Sequence, residues 1–155
     1  MSHPYSYTKD DGAYIFITDH DFTYNVIFYD LTFLYSEVLS NHVEVFSFTF
    51  DNNNTGKKKN DKRVSLTISK ILFEFLREFP DVAVVYTCDN TDKKEKGRNK
   101  LFGEWFNSSE NSGLIKYEYP VLSNIFHTLI VNKNHIFLGD IINGFNEICK
   151  MLNTE

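Results

Sequence analysis

Cysteine, proline, methionine and glycine are all scarce in this chain, at two, three, two and seven residues. Cys88 and Cys149 lie far apart and show neither metal-ligand nor redox spacing, so a disulfide framework and a thiolate metal centre are excluded. Reduced, buried thiols are expected instead. The few glycines form no Gly-x-x-x-x-Gly-Lys, Gly-x-Gly-x-x-Gly or Gly-x-Ser-x-Gly, which removes the usual phosphate cradles and the nucleophile elbow. His3, His20, His42, His127 and His135 never fall at the His-x-His or His-x-x-x-His spacing of a metal site. No metal and no cofactor are therefore expected. No apolar run approaches the roughly 18 residues of a membrane span. Residues 1–5, Met-Ser-His-Pro-Tyr, lack the basic and apolar regions of a signal peptide. A cytoplasmic protein without a membrane partner is the expectation, which makes the sequons at Asn53 and Asn107 chance matches.

Aromatic residues are plentiful: fifteen Phe, nine Tyr and one Trp in 155 residues. Rings of this kind suit strands and bulky sheet-on-helix cores. The length fits one domain, residues 1–155, able to bury roughly two-thirds of its unfolded surface. Charge is unevenly spread beneath the net −5. Residues 1–56 hold eight acids and one base, residues 57–100 twelve bases and seven acids, and residues 101–155 six acids and three bases. Such asymmetry can steer a partner, and solvated loops and helix faces produce it as well.

Residues 1–12 read as a polar, turn-rich segment ending in Asp10-Asp11-Gly12. Tyr14–Thr18 and Phe22–Tyr29, separated by Asp19-His20-Asp21, read as a hairpin. Residues 31–42 fit a short helix or an ordered loop. Val43–Phe50 is a strand with Phe46, Phe48 and Phe50 on one face. Residues 51–62 contain almost nothing apolar and are expected to form a flexible loop. Val64, Ile68, Ile71, Leu72, Phe75, Leu76 and Phe79 then recur at helical spacing, predicting a helix over 63–79 with Asp61 as cap and Pro80 as stop. Val82–Thr87 has the continuous apolar character of a buried strand. A second helix is predicted from Lys93 to Asn107, packing through Leu101, Phe102, Trp105 and Phe106. Strands Leu114–Tyr119 and Phe126–Val131 follow. The C-terminal helix runs through Leu138, Ile141, Phe145, Ile148 and Leu152, weakened at Gly139 and Gly144 by roughly 1 kcal/mol each. The fold class is α+β: about six strands in a mostly antiparallel, possibly mixed, sheet with about three helices, in the order β-β-β-α-β-α-β-β-α. Helices covering one face of that sheet would satisfy it.

Two constellations could carry function. In the first, Asp89 and Asp92 end a strand and open a helix on which Arg98 shares the packing face with Phe102 and Trp105. A guanidinium held there needs a partner. An ion pair with Asp89 or Asp92 would serve structurally, and an anion at the helix N-terminus is the functional alternative. Metal binding by Asp89 and Asp92 would require further carboxylates and a nearby lysine that the strands do not supply. In the second constellation, Lys57, Lys58, Lys59, Lys62 and Arg63 form one basic cluster and Lys93, Lys94, Lys96 and Lys100 another. Phosphate contacts along both are the functional reading. A solvated loop and an ordinary charged helix face would give the same pattern.

Tyr14-Ile15-Phe16-Ile17-Thr18-Asp19, the helix from Arg63-Val64-Ser65, and Cys88-Asp89 with Asp92, Arg98, Phe102, Trp105 and Phe106 resemble a family of small bacterial proteins known only as a domain of unknown function. The resemblance implies a single domain in a bacterial cytoplasm and brings no catalytic residues with it. The leading functional expectation is a non-enzymatic protein-interaction module with a protein partner still to be named. A nucleic-acid or phosphate-ligand binder using residues 57–63 and 93–100 is the alternative, and a metal-dependent hydrolase or nuclease at Asp89 and Asp92 stands third.

Overall fold

The computed structural model describes residues 3–39, 42–53, 61–88, 113–119 and 126–152. Their strands are β1 (Thr8–Asp10), β2 (Ala13–Ile17), β3 (Thr23–Asp30), β4 (Val45–Asn52), β5 (Ala83–Cys88), β6 (Leu114–Glu118) and β7 (Phe126–Asn132). Their helices are α1 (Thr32–Tyr35), α2 (Lys62–Glu78) and α3 (Leu138–Leu152). All seven strands join one sheet in the order β1-β2-β3-β4-β5-β7-β6. Every neighbouring pair is antiparallel except β4 and β5, whose parallel pairing is bridged by α2. The expected α+β class and its mostly antiparallel sheet are thus present.

Strands β1 to β4 form a meander set by local turns. Asp11 and Gly12, both at positive φ, make the two-residue β1–β2 turn, an Asp-Gly pair suited to a hairpin whose central residues are left-handed. The β2–β3 turn closes on Thr18, whose hydroxyl accepts the N–H groups of His20 and Phe22, with Asp21 at φ 63. Helix α2 is capped as its sequence suggests: the Asp61 carboxylate accepts the Arg63 N–H at 2.9 Å. Its apolar stripe, Ile68, Ile71, Leu72, Phe75 and Leu76, is buried against Tyr14, Phe16, Val26, Phe28, Phe48, Val84 and Tyr86.

Three readings of the sequence change, and the open one at residues 31–42 resolves. Helices lie on both faces of the sheet rather than one, because β5 and β7 alternate between two cores. Val84 and Ile130 meet the α2 side, whereas Ala83, Val85, Leu129 and Val131 pack with Ile141, Phe145 and Ile148 of α3. The polar N-terminal segment contributes a seventh strand and a core residue, since β1 pairs with β2 and Tyr5 is buried against Phe16. Residues 51–62 are not all loop. Asp51 and Asn52 continue β4 by pairing with Asn25 and Tyr24, and Lys62 starts α2. The ambiguous stretch from residue 31 opens with the short helix α1, whose Tyr35 joins the second core with Leu39. The helix predicted at 93–107 lies outside the described residues.

Candidate functional site

Among the residues singled out from sequence, Lys62 and Arg63 fall within the described structure. Asp89, Asp92 and Arg98, together with Lys57, Lys58, Lys59, Lys93, Lys94, Lys96 and Lys100, lie outside the described residues. Lys62 is exposed on the first turn of α2. The Arg63 guanidinium is heavily committed within the protein. Its Nε donates to the His3 carbonyl at 2.7 Å, its Nη1 meets the Asp19 carboxylate at 3.0 Å, and its plane lies 3.8 Å from the Tyr5 ring centroid. The Tyr5 hydroxyl donates to Asp61, and the Tyr5 N–H donates to the Thr67 hydroxyl at 2.7 Å. Burial, followed by the Asp61 carboxylate, holds the Tyr5 phenol above the usual tyrosine range. This network straps the N-terminal segment across the start of α2, and a phosphate would have to displace Asp19 to reach Arg63.

No group of three or more His, Cys, Asp or Glu able to hold a metal occurs among the described residues. Cys149 is buried in the α3 core, where desolvation pushes its thiol up to about 12, so it remains a protonated packing group. His127 is also buried and shares a hydrogen bond with the Thr87 hydroxyl at 3.1 Å. His135 is committed on both ring nitrogens. Nδ1 accepts the Phe137 N–H at 3.0 Å, which leaves Nε2 to donate to the Asp81 carbonyl at 2.8 Å. These arrangements satisfy polar groups within the fold.

The most distinctive surface is a face of the meander that no described element covers. Tyr14 and Phe16 point from β2 into the α2 core, so Ile15 and Ile17 point the other way. On β3 the same parity brings Ile27 and Tyr29 to that face beside Thr23 and Asn25, and on β4 it brings Ser47, Thr49 and Asp51. None of Ile15, Ile17, Ile27 and Tyr29 belongs to either core. Ile17 is 59% and Tyr29 54% exposed. Register places Ile15 opposite Asn25 and Ile27 opposite Ala13, so the two isoleucines are diagonal neighbours and the apolar strip crosses both strands. Beyond β3, α1 adds Phe33, 90% exposed, and Leu34. Asp10 and Asp51 are exposed on this face, and none of its strand positions carries Lys or Arg.

Sequence reasoning passed over these residues although a signal was present. A half-solvated antiparallel strand should alternate apolar with polar side chains, yet Tyr14-Ile15-Phe16-Ile17 is apolar at every position. A model of the family described as "Family of unknown function (DUF6169)" matches residues 60–147. The chain belongs to this family of unknown function. The match covers α2, β5, β6, β7 and most of α3, leaving the exposed strip of β2 and β3 outside it. Comparison with curated proteins and with solved structures gave no match. No helix among the described residues is long and apolar enough to cross a membrane.

Proposed function

We propose that this member of the family is a non-enzymatic protein-interaction module that docks a basic, amphipathic segment of a partner protein on the uncovered face of β2, β3 and β4. The observation that carries this reading is the pairing of Ile15, Ile17, Ile27 and Tyr29 with Asp10 and Asp51, the charged strand residues on that face. Contiguous exposed apolar patches rimmed by polar groups mark interaction sites. A partner with apolar anchors flanked by Lys or Arg would satisfy both the strip and the aspartates. Aromatic Tyr29 and Phe33 are the residue types that supply anchor area at interfaces. A phosphate-binding role would rest on Lys62 and on segments beyond the described residues, since Arg63 is occupied by Asp19 and the His3 carbonyl.

Affinity capture with the wild type and with an Ile17→Lys/Tyr29→Lys double variant tests the proposal. Both positions are exposed, so circular dichroism and thermal melts should match those of wild type. A partner that is lost from the double variant, and whose cross-linked segment carries Lys or Arg beside apolar residues, is expected. Equal capture by both proteins, or an acidic cross-linked segment, would overturn it.

A further inference from the structure

Strands β1 and β6 bound the sheet, and the two edges are built differently. Lys133 donates its N–H to the Gly113 carbonyl at 2.9 Å, and Tyr119 donates to the His127 carbonyl at 3.0 Å. These bonds flank β6, so antiparallel alternation turns the N–H and C=O groups of Ile115 and Tyr117 toward β7. Leu114, Lys116 and Glu118 turn theirs the other way, and no described strand lies beyond β6 to receive them. On β1, Asp10 and Ala13 flank a tight turn as a bonded pair, so Lys9 alone faces outward. A very short edge strand bearing lysine is a common defence against strand addition. The β6 edge is the longer open ladder.

Side chains on β6 indicate what can occupy that edge. Leu114 packs against the α2 core, so by parity Lys116 and Glu118 share its face. The Lys116 Nζ lies 3.2 Å from the Glu118 carboxylate. Ile115, Tyr117 and Tyr119 lie on the α3 face, each only partly buried. Tyr117 is held there, edge-on to Phe145 at 5.9 Å with its hydroxyl donating to Asn146 at 3.2 Å. Lys116 alone would deter a neighbouring strand, but Glu118 two residues on makes the strand self-complementary. The geometry points to a second copy of this chain, paired antiparallel along β6 about a two-fold axis beside Tyr117. In this register Lys116 sits opposite Glu118 of the second copy, and each such pair exchanges its outward N–H and C=O groups. Each lysine then stands between two glutamates. Tyr117 meets its own symmetry mate, and Ile115 lies opposite Tyr119, so the half-covered α3-side strip is shared. Placing Lys116 opposite Lys116 would lengthen the ladder but bring like charges together. Two-fold pairing closes on two copies and makes a dimer, not a filament. This edge is at the far end of the sheet from β2, so it and the docking strip stand or fall separately.

Sedimentation equilibrium of the full chain across a range of concentrations tests the pairing. One short strand pair belongs to the weak class of interfaces, so a Kd on the order of 100 µM is expected. Amide exchange at Lys116 and Glu118 should slow as the dimer forms, whereas Ile115 and Tyr117, already bonded to β7, should change little. Lys116→Glu and Glu118→Lys should each weaken self-association roughly tenfold. Mixed in equal amounts, these two variants should associate again, because an all-acidic β6 edge then meets an all-basic one. That recovery also shows that both variants fold. The Ile17→Lys/Tyr29→Lys protein should dimerise like wild type. A wild-type chain still monomeric at about 1 mM would overturn the pairing. So would a dimer that neither charge reversal weakens. Lys116→Glu binding wild type more tightly than wild type binds itself would overturn this register in favour of Lys116 opposite Lys116.

Discussion

The two halves of the sheet are covered differently. Strands β5, β7 and β6 are sandwiched, with the α2 core on one side and α3 on the other. Among the described residues, strands β1 to β3 and most of β4 bury one face only. Sequence texture follows this division in one half and departs from it in the other. Ala83-Val84-Val85-Tyr86 is continuously apolar, as a strand buried on both faces should be. Tyr14-Ile15-Phe16-Ile17 is equally apolar, yet every second residue faces outward. The second pattern has the composition of a sandwiched strand with no second layer among the described residues. An apolar outward face adds little to folding stability while it stays solvated, so its value lies in what covers it.

The sharpest way to break this comparison is to remove side chains from the covered layers. Phe145→Ala should destabilise by about 3–5 kcal/mol and Ile71→Ala by about 2–5 kcal/mol, as buried large-to-small changes. Each is within a percent of full burial, Phe145 on the inner face of α3 and Ile71 on the inner face of α2. Chemical denaturation of both variants reads the cost. A Phe145→Ala loss below about 1 kcal/mol would mean that α3 is not a true second layer.

A smaller effect sharpens the picture of that layer. A Cβ added at Gly144 would meet Leu39 Cδ2 at 2.7 Å, Leu39 Cγ at 3.2 Å and Val38 Cγ2 at 3.3 Å, whereas one at Gly139 meets nothing within 4 Å. Glycine thus permits the close approach of α3 to the segment after α1 at one position and merely weakens the helix at the other. Gly144→Ala should lower stability by about 1 kcal/mol or more through overpacking. Gly139→Ala should raise it by about 0.4–1 kcal/mol. Melting the two proteins side by side checks the opposite signs, which sequence alone could not supply because both glycines occupy the same helical pattern.

The uncovered face predicts the reverse of the core. Ile17→Ser should leave stability within about 0.5 kcal/mol of wild type while weakening the proposed docking. Denaturation and partner capture measure the two sides. A loss of about 2 kcal/mol would show that Ile17 is covered within the folded chain.

Much of the fold was legible because its signals are local. Helix α2 announces itself by a single apolar stripe with Asp61 before it, and the phenylalanines of β4 alternate within one strand. Burial of Tyr5 was not legible, because it depends on Phe16, Thr67, Asp61 and Arg63, the last three more than fifty residues away. The split of helices between two faces was hidden for a similar reason. It follows from which neighbours β5 acquires, and strand order is a property of long-range pairing. The candidate surface was half visible: parity gives Ile15 and Ile17 one face, but only the sheet shows that no described helix lies over it. Arg63 illustrates the opposite error. A basic cluster suggests free cations, and a guanidinium has planar geometry that lets it fork between a carboxylate and a carbonyl while stacking on a ring.

The smallest predicted effect sits at Asp30, where β3 passes into α1. Its carboxylate accepts the Thr32 N–H at 2.8 Å, and hydrogen bonds from the Thr32 side chain and backbone hold it below the usual carboxylate value of 3.8. A carboxyl whose folded value is depressed stabilises the fold above its unfolded value, and that contribution disappears as pH falls through the lower folded value. Asp30→Asn keeps an oxygen able to accept from Thr32 but removes the charge. The variant should therefore be slightly less stable than wild type at neutral pH, within the roughly 0.5 kcal/mol typical of surface changes. Below the usual carboxylate value the two should converge, which urea denaturation at neutral pH and at successively lower acid pH would reveal. A gap that widens on acidification would mean that folding disfavours the Asp30 charge, and that Thr32 does not anchor the turn from β3 into α1 through it.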